Sequence, residues 1–194
     1  MNIKQNTKFN TLLILITVLL MSFQVSAYEP NEGQLAPDFE ITQSDGSVFS
    51  LSDYKGKQSV YVVFWNTWCH FCMKKIPKLL AAEKNLADDI KIIAVNTSRD
   101  DSLEEMRAFK KRFNITYSLA FDQGKHITQL YNVHGVPTEF IVDINGVIKH
   151  RDGVPDKLED YVGLWNKIDN KTSQVITDGI NSIAALFKKW TQLI

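Results

Sequence analysis

Cysteine is scarce: the 194 residues include two, Cys69 and Cys72. A loop closed between them is too short to remove much entropy from the unfolded chain, so the pair is not a stapling framework. Surplus charge of either sign is missing too. Lys+Arg and Asp+Glu number 22 each, which leaves no basic excess to attract nucleic acid. Leu12–Leu20, the apolar run near the start, is interrupted by Thr17 and falls short of the roughly 18 residues of a membrane span. Ligands for a four-coordinate zinc site are too few, and neither a metal nor an organic cofactor is expected. The chain shows no internal repeat and no low-complexity segment.

Lys4 and Lys8 precede that apolar run, and Val25-Ser26-Ala27 supplies the small residues a signal peptidase needs. The three-part pattern reads as a secretory signal over residues 1–27, cleaved after Ala27. The alternative is an uncleaved anchor holding the same domain outside the membrane, and membrane contact is expected only then. No cysteine near the cleavage point offers a lipid attachment site. Export to the bacterial periplasm puts the chain where disulfides form.

Residues 28–168 read as one α/β domain. Phe39–Thr42 and Val48–Ser50 flank Asp45-Gly46 as a β-hairpin. Ser59–Trp65 is nearly all β-branched and aromatic, the composition of a buried central strand. A helix carrying Cys69, Cys72, Ile76, Leu79, Leu80 and Leu86 follows, with Pro77 inside it. Ile90–Asn96 is a strand, Ser102–Phe113 an amphipathic helix, Tyr117–Phe121 a strand and Lys125–Tyr131 a short helix. Glu139–Asp143 and Val147–His150 flank Asn145-Gly146 as a second hairpin, and Asp156–Ile168 is the last helix of the domain. Residues 169–194 read as a linker and a C-terminal amphipathic helix, apolar at Val175, Ile176, Ile180, Ile183, Leu186, Phe187, Trp190 and Leu193. That helix packs back on the domain, forms a dimer or touches a membrane surface.

The run Phe64-Trp65-Asn66-Thr67-Trp68-Cys69-His70-Phe71-Cys72 carries the chemistry. A C-x-x-C that opens a helix after a buried strand is a redox signature. Cys69 falls at the helix N-terminus, where free N–H groups and the macrodipole favour a thiolate. It is expected to be the accessible nucleophile, with Cys72, one turn further in, as the more buried resolving thiol. The two are expected to form a Cys69–Cys72 disulfide. The competing readings are an inert structural disulfide and a copper module built on the pair with His70 or His134, since thiolates suit Cu(I). A protonated His70 would stabilise the thiolate further and make the couple more oxidising; an exposed polar residue is the alternative. Trp68 is placed beside the sulfurs to shape a docking surface, or is a plain core aromatic. In Gly135-Val136-Pro137-Thr138 a cis Val136–Pro137 bond turns the Val136 backbone toward the dithiol, ready to pair with a partner strand. An ordinary strand-edge proline is the alternative.

These runs together resemble the TlpA/ResA-like branch of the thioredoxin superfamily, whose domains are also called redoxin or AhpC/TSA-type. The resemblance spans roughly Gly33 to Leu164 and rests on G-Q-L-A-P-D-F, D-G-S-V-F-S-L-S-D-Y-K-G-K, V-F-W-N-T-W-C-H-F-C, I-A-V-N and G-V-P-T-E-F-I-V-D-I-N-G. It implies a thioredoxin-like α/β fold: a central mixed sheet flanked by helices, here with an added N-terminal β-hairpin and an extra C-terminal helix. It implies a membrane-tethered or periplasmic thiol-disulfide oxidoreductase that reduces protein disulfides, including those of apocytochrome c, with a membrane or periplasmic redox partner. The nucleophile role carries over to Cys69 and the cis-proline role to Pro137. Two positions depart from the pattern. Phe71 stands where most members have Pro, which leaves the direction of electron flow open between reductase and oxidase or isomerase. The two positions where relatives place an acid near the buried thiol are Val63 and Lys75. Glu139 would substitute if its side chain faced the dithiol, but it is expected to face solvent. No P-x-x-x-T-x-x-C run precedes Cys69, so a thiol peroxidase is a weak reading.

Overall fold

A computed structural model describes residues 29–167. The expected signal segment, its cleavage point, and the linker and helical pattern from residue 169 lie outside the described residues. Strands β1 (Glu40–Thr42) and β2 (Val48–Ser50) form the expected N-terminal hairpin, an antiparallel pair closed around Asp45-Gly46. Gly46 has a φ of +90°, which a side chain would strain, and Asp45 Oδ1 accepts the Ser47 N–H at 3.0 Å. A short 3-10 turn, Leu51–Tyr54, follows directly.

The main sheet has five strands in the order β5-β4-β3-β6-β7: Ser118–Phe121, Ile90–Asn96, Ser59–Trp65, Thr138–Val142 and Ile148–Arg151. β3 pairs in parallel with β4 and antiparallel with β6, so the sheet is mixed. All seven residues of β3 are buried, which a central strand covered on both faces requires. Between strands run α1 (His70–Leu86), α2 (Leu103–Arg112) and α3 (His126–Leu130), and α4 (Glu159–Trp165) follows β7. α1 is continuous through Pro77. α2 opens on a reciprocal capping box between Ser102 and Glu105. α4 is shorter than expected: Asp156 lies ahead of it, where its carboxylate meets Lys78 Nζ at 3.2 Å.

Alternation along β3 sends its side chains into two separate cores. Tyr61, Val63 and Trp65 join Ile76 and Leu79 of α1, Met106 and Phe109 of α2, and Leu158, Val162 and Trp165 around α4. Val60, Val62 and Phe64 join Phe39, Ile41 and Phe49 of the hairpin region and Ile127 and Tyr131 around α3. In this second core Phe140 is fully buried, with edge-on contacts to Tyr131 at 5.0 Å and to Phe64 at 6.0 Å. Phe140→Ala is expected to lower the unfolding free energy by about 3–5 kcal/mol, read as a reduced midpoint in urea. Val48→Ala, at an exposed position of the hairpin, is expected to stay within about 0.5 kcal/mol of the unchanged protein.

Candidate active site

β3 ends at Trp65, and the chain turns out of the sheet through Asn66, whose carbonyl accepts the Cys69 N–H at 3.2 Å. Cys69 is the N-cap of α1, and its Sγ accepts the Cys72 N–H at 3.1 Å. The sulfur thus takes one of the helix's free N–H groups and lies at the positive end of its dipole, as the sequence implies. Cys69 and Cys72 are joined as a disulfide, with their Cα atoms 5.2 Å apart.

Burial differs from expectation. Cys69 is 3% exposed and Cys72 6%, so the first cysteine is not the more accessible one. In the disulfide both sulfurs belong to the core between α1 and the sheet, and Val136 packs against that core from the opposite loop. What faces solvent is the rim: Trp68 at 49%, Phe71 at 67% and His70. Lys74 Nζ lies 5.4 Å over the Phe71 ring.

The opposite wall is the segment before β6. The Val136–Pro137 bond is cis, and both residues are half-buried. Register brings this wall to the cysteines: Phe64 pairs with Thr138, so β6 starts beside the end of β3. No backbone hydrogen bond among the described residues engages the Val136 N–H or C=O.

A third wall was not read from the sequence. The loop Thr97–Asp101 after β4 carries Ser98 and Asp100 at φ values of +54° and +50°. The Asp101 carboxylate accepts from Thr67 N and Thr67 Oγ1 at 2.7 Å each, from Asn96 Nδ2 at 2.7 Å and from Asn66 Nδ2 at 3.3 Å. The Arg99 carbonyl accepts the Trp68 indole N–H at 2.9 Å, and Arg99 Nη1 donates to the His134 carbonyl at 3.3 Å. One loop therefore ties the segment before Cys69 to the segment before Pro137. The available signal was the polar run Asn96-Thr97-Ser98-Arg99-Asp100-Asp101, whose short side chains commonly bond nearby backbone.

Glu139 corrects a second expectation. It is 4% exposed, not solvent-facing, because β6 is covered on both faces and offers no wet side. Its carboxylate accepts a hydrogen bond from the Tyr61 hydroxyl and pairs with Lys75 Nζ. Burial, then the Glu139 charge, pushes the Tyr61 hydroxyl well above the usual tyrosine range, so Tyr61 remains a neutral donor. Behind Cys72 lies a cavity of about 10 Å³ lined by Val63, Trp65, Ile76, Leu79, Ala94, Phe109 and Tyr117. Among the described residues no group of three or more His, Cys, Asp or Glu is placed to hold a metal.

Residues 33–151 match the AhpC/TSA family. The chain belongs to that family. This AhpC/TSA chain is 40% identical over 119 residues to the thioredoxin-like protein YneN of Bacillus subtilis, covering 61% of this chain and 69% of YneN. It is 36% identical over 120 residues to the thiol-disulfide oxidoreductase ResA of Geobacillus kaustophilus, covering 60% of this chain and 66% of ResA. Among solved structures, a putative thiol:disulfide interchange protein DsbE from Chlorobium tepidum is similar with a TM-score of 0.60 and 27% identity, over 71% of this chain and 99% of that one. The thioredoxin domain of a thiol-disulfide oxidoreductase from Bacteroides vulgatus reaches 0.61 and 26%, over the same shares. The fold is thioredoxin-like, and this AhpC/TSA protein is a thiol-disulfide oxidoreductase. Asp101→Ala, which strips four donors of their acceptor, is expected to cost about 1–3 kcal/mol of stability and to slow disulfide exchange. Urea unfolding and Trp68 fluorescence, whose indole depends on the same loop, measure the two effects.

Proposed function

We propose that the chain is an exported enzyme that exchanges the Cys69–Cys72 couple with disulfides or dithiols of protein substrates. Cys69 attacks, Cys72 resolves, and Val136 holds the partner chain. The observation that carries this reading is the juxtaposition of a disulfide at a helix N-terminus with a Val136 backbone that has no hydrogen-bond partner among the described residues. An unpaired N–H and C=O beside the sulfurs suit an extended substrate segment added in strand fashion. The exposed rings of Trp68 and Phe71 supply apolar area for that segment beside the bond to be exchanged.

In the reducing direction the Cys69 thiolate attacks one sulfur of the substrate disulfide, and the other sulfur leaves as a thiolate that takes up a proton. Cys72 then loses its proton and attacks Cys69 Sγ. The second substrate sulfur is released, and two electrons have passed to the substrate. A membrane-bound or periplasmic dithiol donor restores the couple. Apocytochrome c, or exported proteins in general, are the substrates that the family resemblance implies. The secretory-signal pattern at residues 1–27 supports export, and no described helix is long and apolar enough to cross a membrane.

Two experiments test this reading. Cys72→Ala, isolated from the periplasm, is expected to carry substrates as mixed disulfides on Cys69, identified by mass spectrometry after non-reducing separation. Recovery of the variant free of any mixed disulfide would count against protein substrates. His70 is the first residue of α1, beside the sulfur that the helix stabilises. Replacing it with Ala is expected to move the equilibrium with glutathione toward the disulfide by about tenfold, near 30 mV for a two-electron couple. An unchanged equilibrium would remove His70 from the site.

A further inference from the structure

Charge balances over the whole chain, but it is not evenly distributed. No Asp or Glu occurs from Asn66 to Ala82, the segment that carries both cysteines. None occurs from Gln123 to Thr138, the segment that leads through Pro137. The first of these segments holds three lysines, Lys74, Lys75 and Lys78. Lys75 and Lys78 are neutralised by Glu139 and Asp156. Lys74 is exposed, and no described acid pairs with it. Its Nζ lies over the ring of Phe71, which stands between the two cysteines.

The loop after β4 adds a second cation. Arg99 is exposed, and its carbonyl accepts the Trp68 indole N–H, which fixes the residue beside the turn into Cys69. One guanidinium donor goes to the His134 carbonyl, and no described carboxylate takes the others. A guanidinium carries five N–H donors in a planar fork, and a carboxylate meets two of them at once. The loop's own acids leave that charge standing. The Asp101 carboxylate is half-buried and spent on Thr67, Asn96 and Asn66, so Asp100 is the single exposed acid among the described residues of the three walls. Acids collect instead after β7, at Asp152 and Asp156 and in the first turn of α4 at Glu159 and Asp160.

We propose that this edge of the molecule selects acidic polypeptide: a substrate segment whose cysteines are flanked by Asp or Glu, met by Arg99 on the loop side and Lys74 on the helix side. The inference rests on the exchange reaction proposed above and deepens it by naming the substrate class. The Val136 backbone pairs with any extended chain, and the Trp68 and Phe71 rings accept any apolar side chain, so neither discriminates by charge. The two cations do. They draw an acidic segment in and hold it, and they repel a basic one. Attack by Cys69 and resolution by Cys72 proceed as above. Arg99 and Lys74 touch the partner's side chains and not the reacting sulfurs.

The test uses the reduced full-length protein and two fluorescent peptides of one length, each closed by an internal disulfide, one flanked by Glu and one by Lys. Each second-order rate of reduction is divided by the rate of the same peptide with dithiothreitol, which removes the effect of peptide charge on the disulfide itself. At about 10 mM ionic strength the Glu peptide is expected to react at least about tenfold faster, and at about 0.5 M salt the ratio is expected to fall to about twofold. Arg99→Glu is expected to bring the two rates within about twofold of each other at low salt, and Lys74→Glu to lower the ratio about threefold. A purely structural effect of either substitution lowers both rates and leaves the ratio. Lys74→Glu, on the exposed face of α1, stands as the test if Arg99→Glu does not fold. Equal rates at low salt, faster reduction of the Lys peptide, a ratio indifferent to salt, or a ratio kept in the folded variants overturns the proposal. Failure of the unaltered protein to reduce either peptide overturns the exchange reaction itself, and this inference with it.

Discussion

Burial of β3 on both faces is the constraint from which the site follows. The strand has no wet side, so polar groups cannot be spread along it and collect where it ends. Asn66 is fully buried there, and its side chain donates to Asn96 Oδ1, to the Arg99 carbonyl and to Asp101. The ladder itself continues one step, with Thr97 N–H donating to the Trp65 carbonyl. Beyond that point the chain needs a structure that supplies its own backbone bonds, and a helix does so at once. The cost is a set of unpaired N–H groups at the helix start. Cys69 Sγ accepts one of them, so the reactive position arises from the way the strand terminates.

The three walls meet because of strand direction. β3 and β4 run in parallel and end at one edge of the sheet, while β6 runs the other way and begins there. The crevice beyond the carboxyl ends of parallel strands is where α/β sheets place their chemistry. Meeting is not the same as being held. The Thr97–Asp101 loop adopts left-handed backbone at Ser98 and Asp100, at about 1–2 kcal/mol each. Hydrogen bonds to an ionised carboxylate contribute about 1.5–3 kcal/mol each. Asp101 accepts four of them, three at 2.7 Å, so the bonds outweigh the backbone cost. The loop is thereby fixed as a brace between Trp68 and His134.

What the sequence made legible and what it hid differ in range. Ser59–Trp65 announced itself because a doubly buried strand must be β-branched and aromatic throughout. Asp45-Gly46 and Asn145-Gly146 announced their turns because few residues accept the backbone needed; both glycines have φ above +80°. The cis bond before Pro137 and the N-cap position of Cys69 were local features as well, readable from a few neighbours. Relations across strands were not. Glu139 alternates like a surface residue in Thr138–Val142, and only the packing of α1 and α4 on one face of the sheet and of the hairpin region and α3 on the other shows that both faces are covered. The Asp101 network joins residues 34 and 35 positions apart, and no single-strand pattern encodes it. The relative exposure of the two cysteines failed for a similar reason: Val136, 67 positions from Cys69, packs against the core that holds them both.

Exposure, then, does not separate the two sulfurs, but electrostatics does. Cys69 lies at the positive end of α1, where a thiolate is favoured. Cys72 lies one turn further along α1, and Lys75, three residues beyond it, pairs with the buried Glu139, which also accepts from Tyr61. Stability does not explain that charge pair. Taking the Glu139 carboxylate from water costs on the order of several kcal/mol of solvation while Lys75, 30% exposed, keeps part of its hydration, and an apolar pair of similar size commonly folds as well or better. Val63, the neighbour of Glu139 on β3, shows that the same layer accepts an apolar side chain. The pair instead ties α1, which Cys69 opens, to β6, which follows Pro137, and through Tyr61 to β3. The helix start therefore distinguishes Cys69 from Cys72, although both are buried.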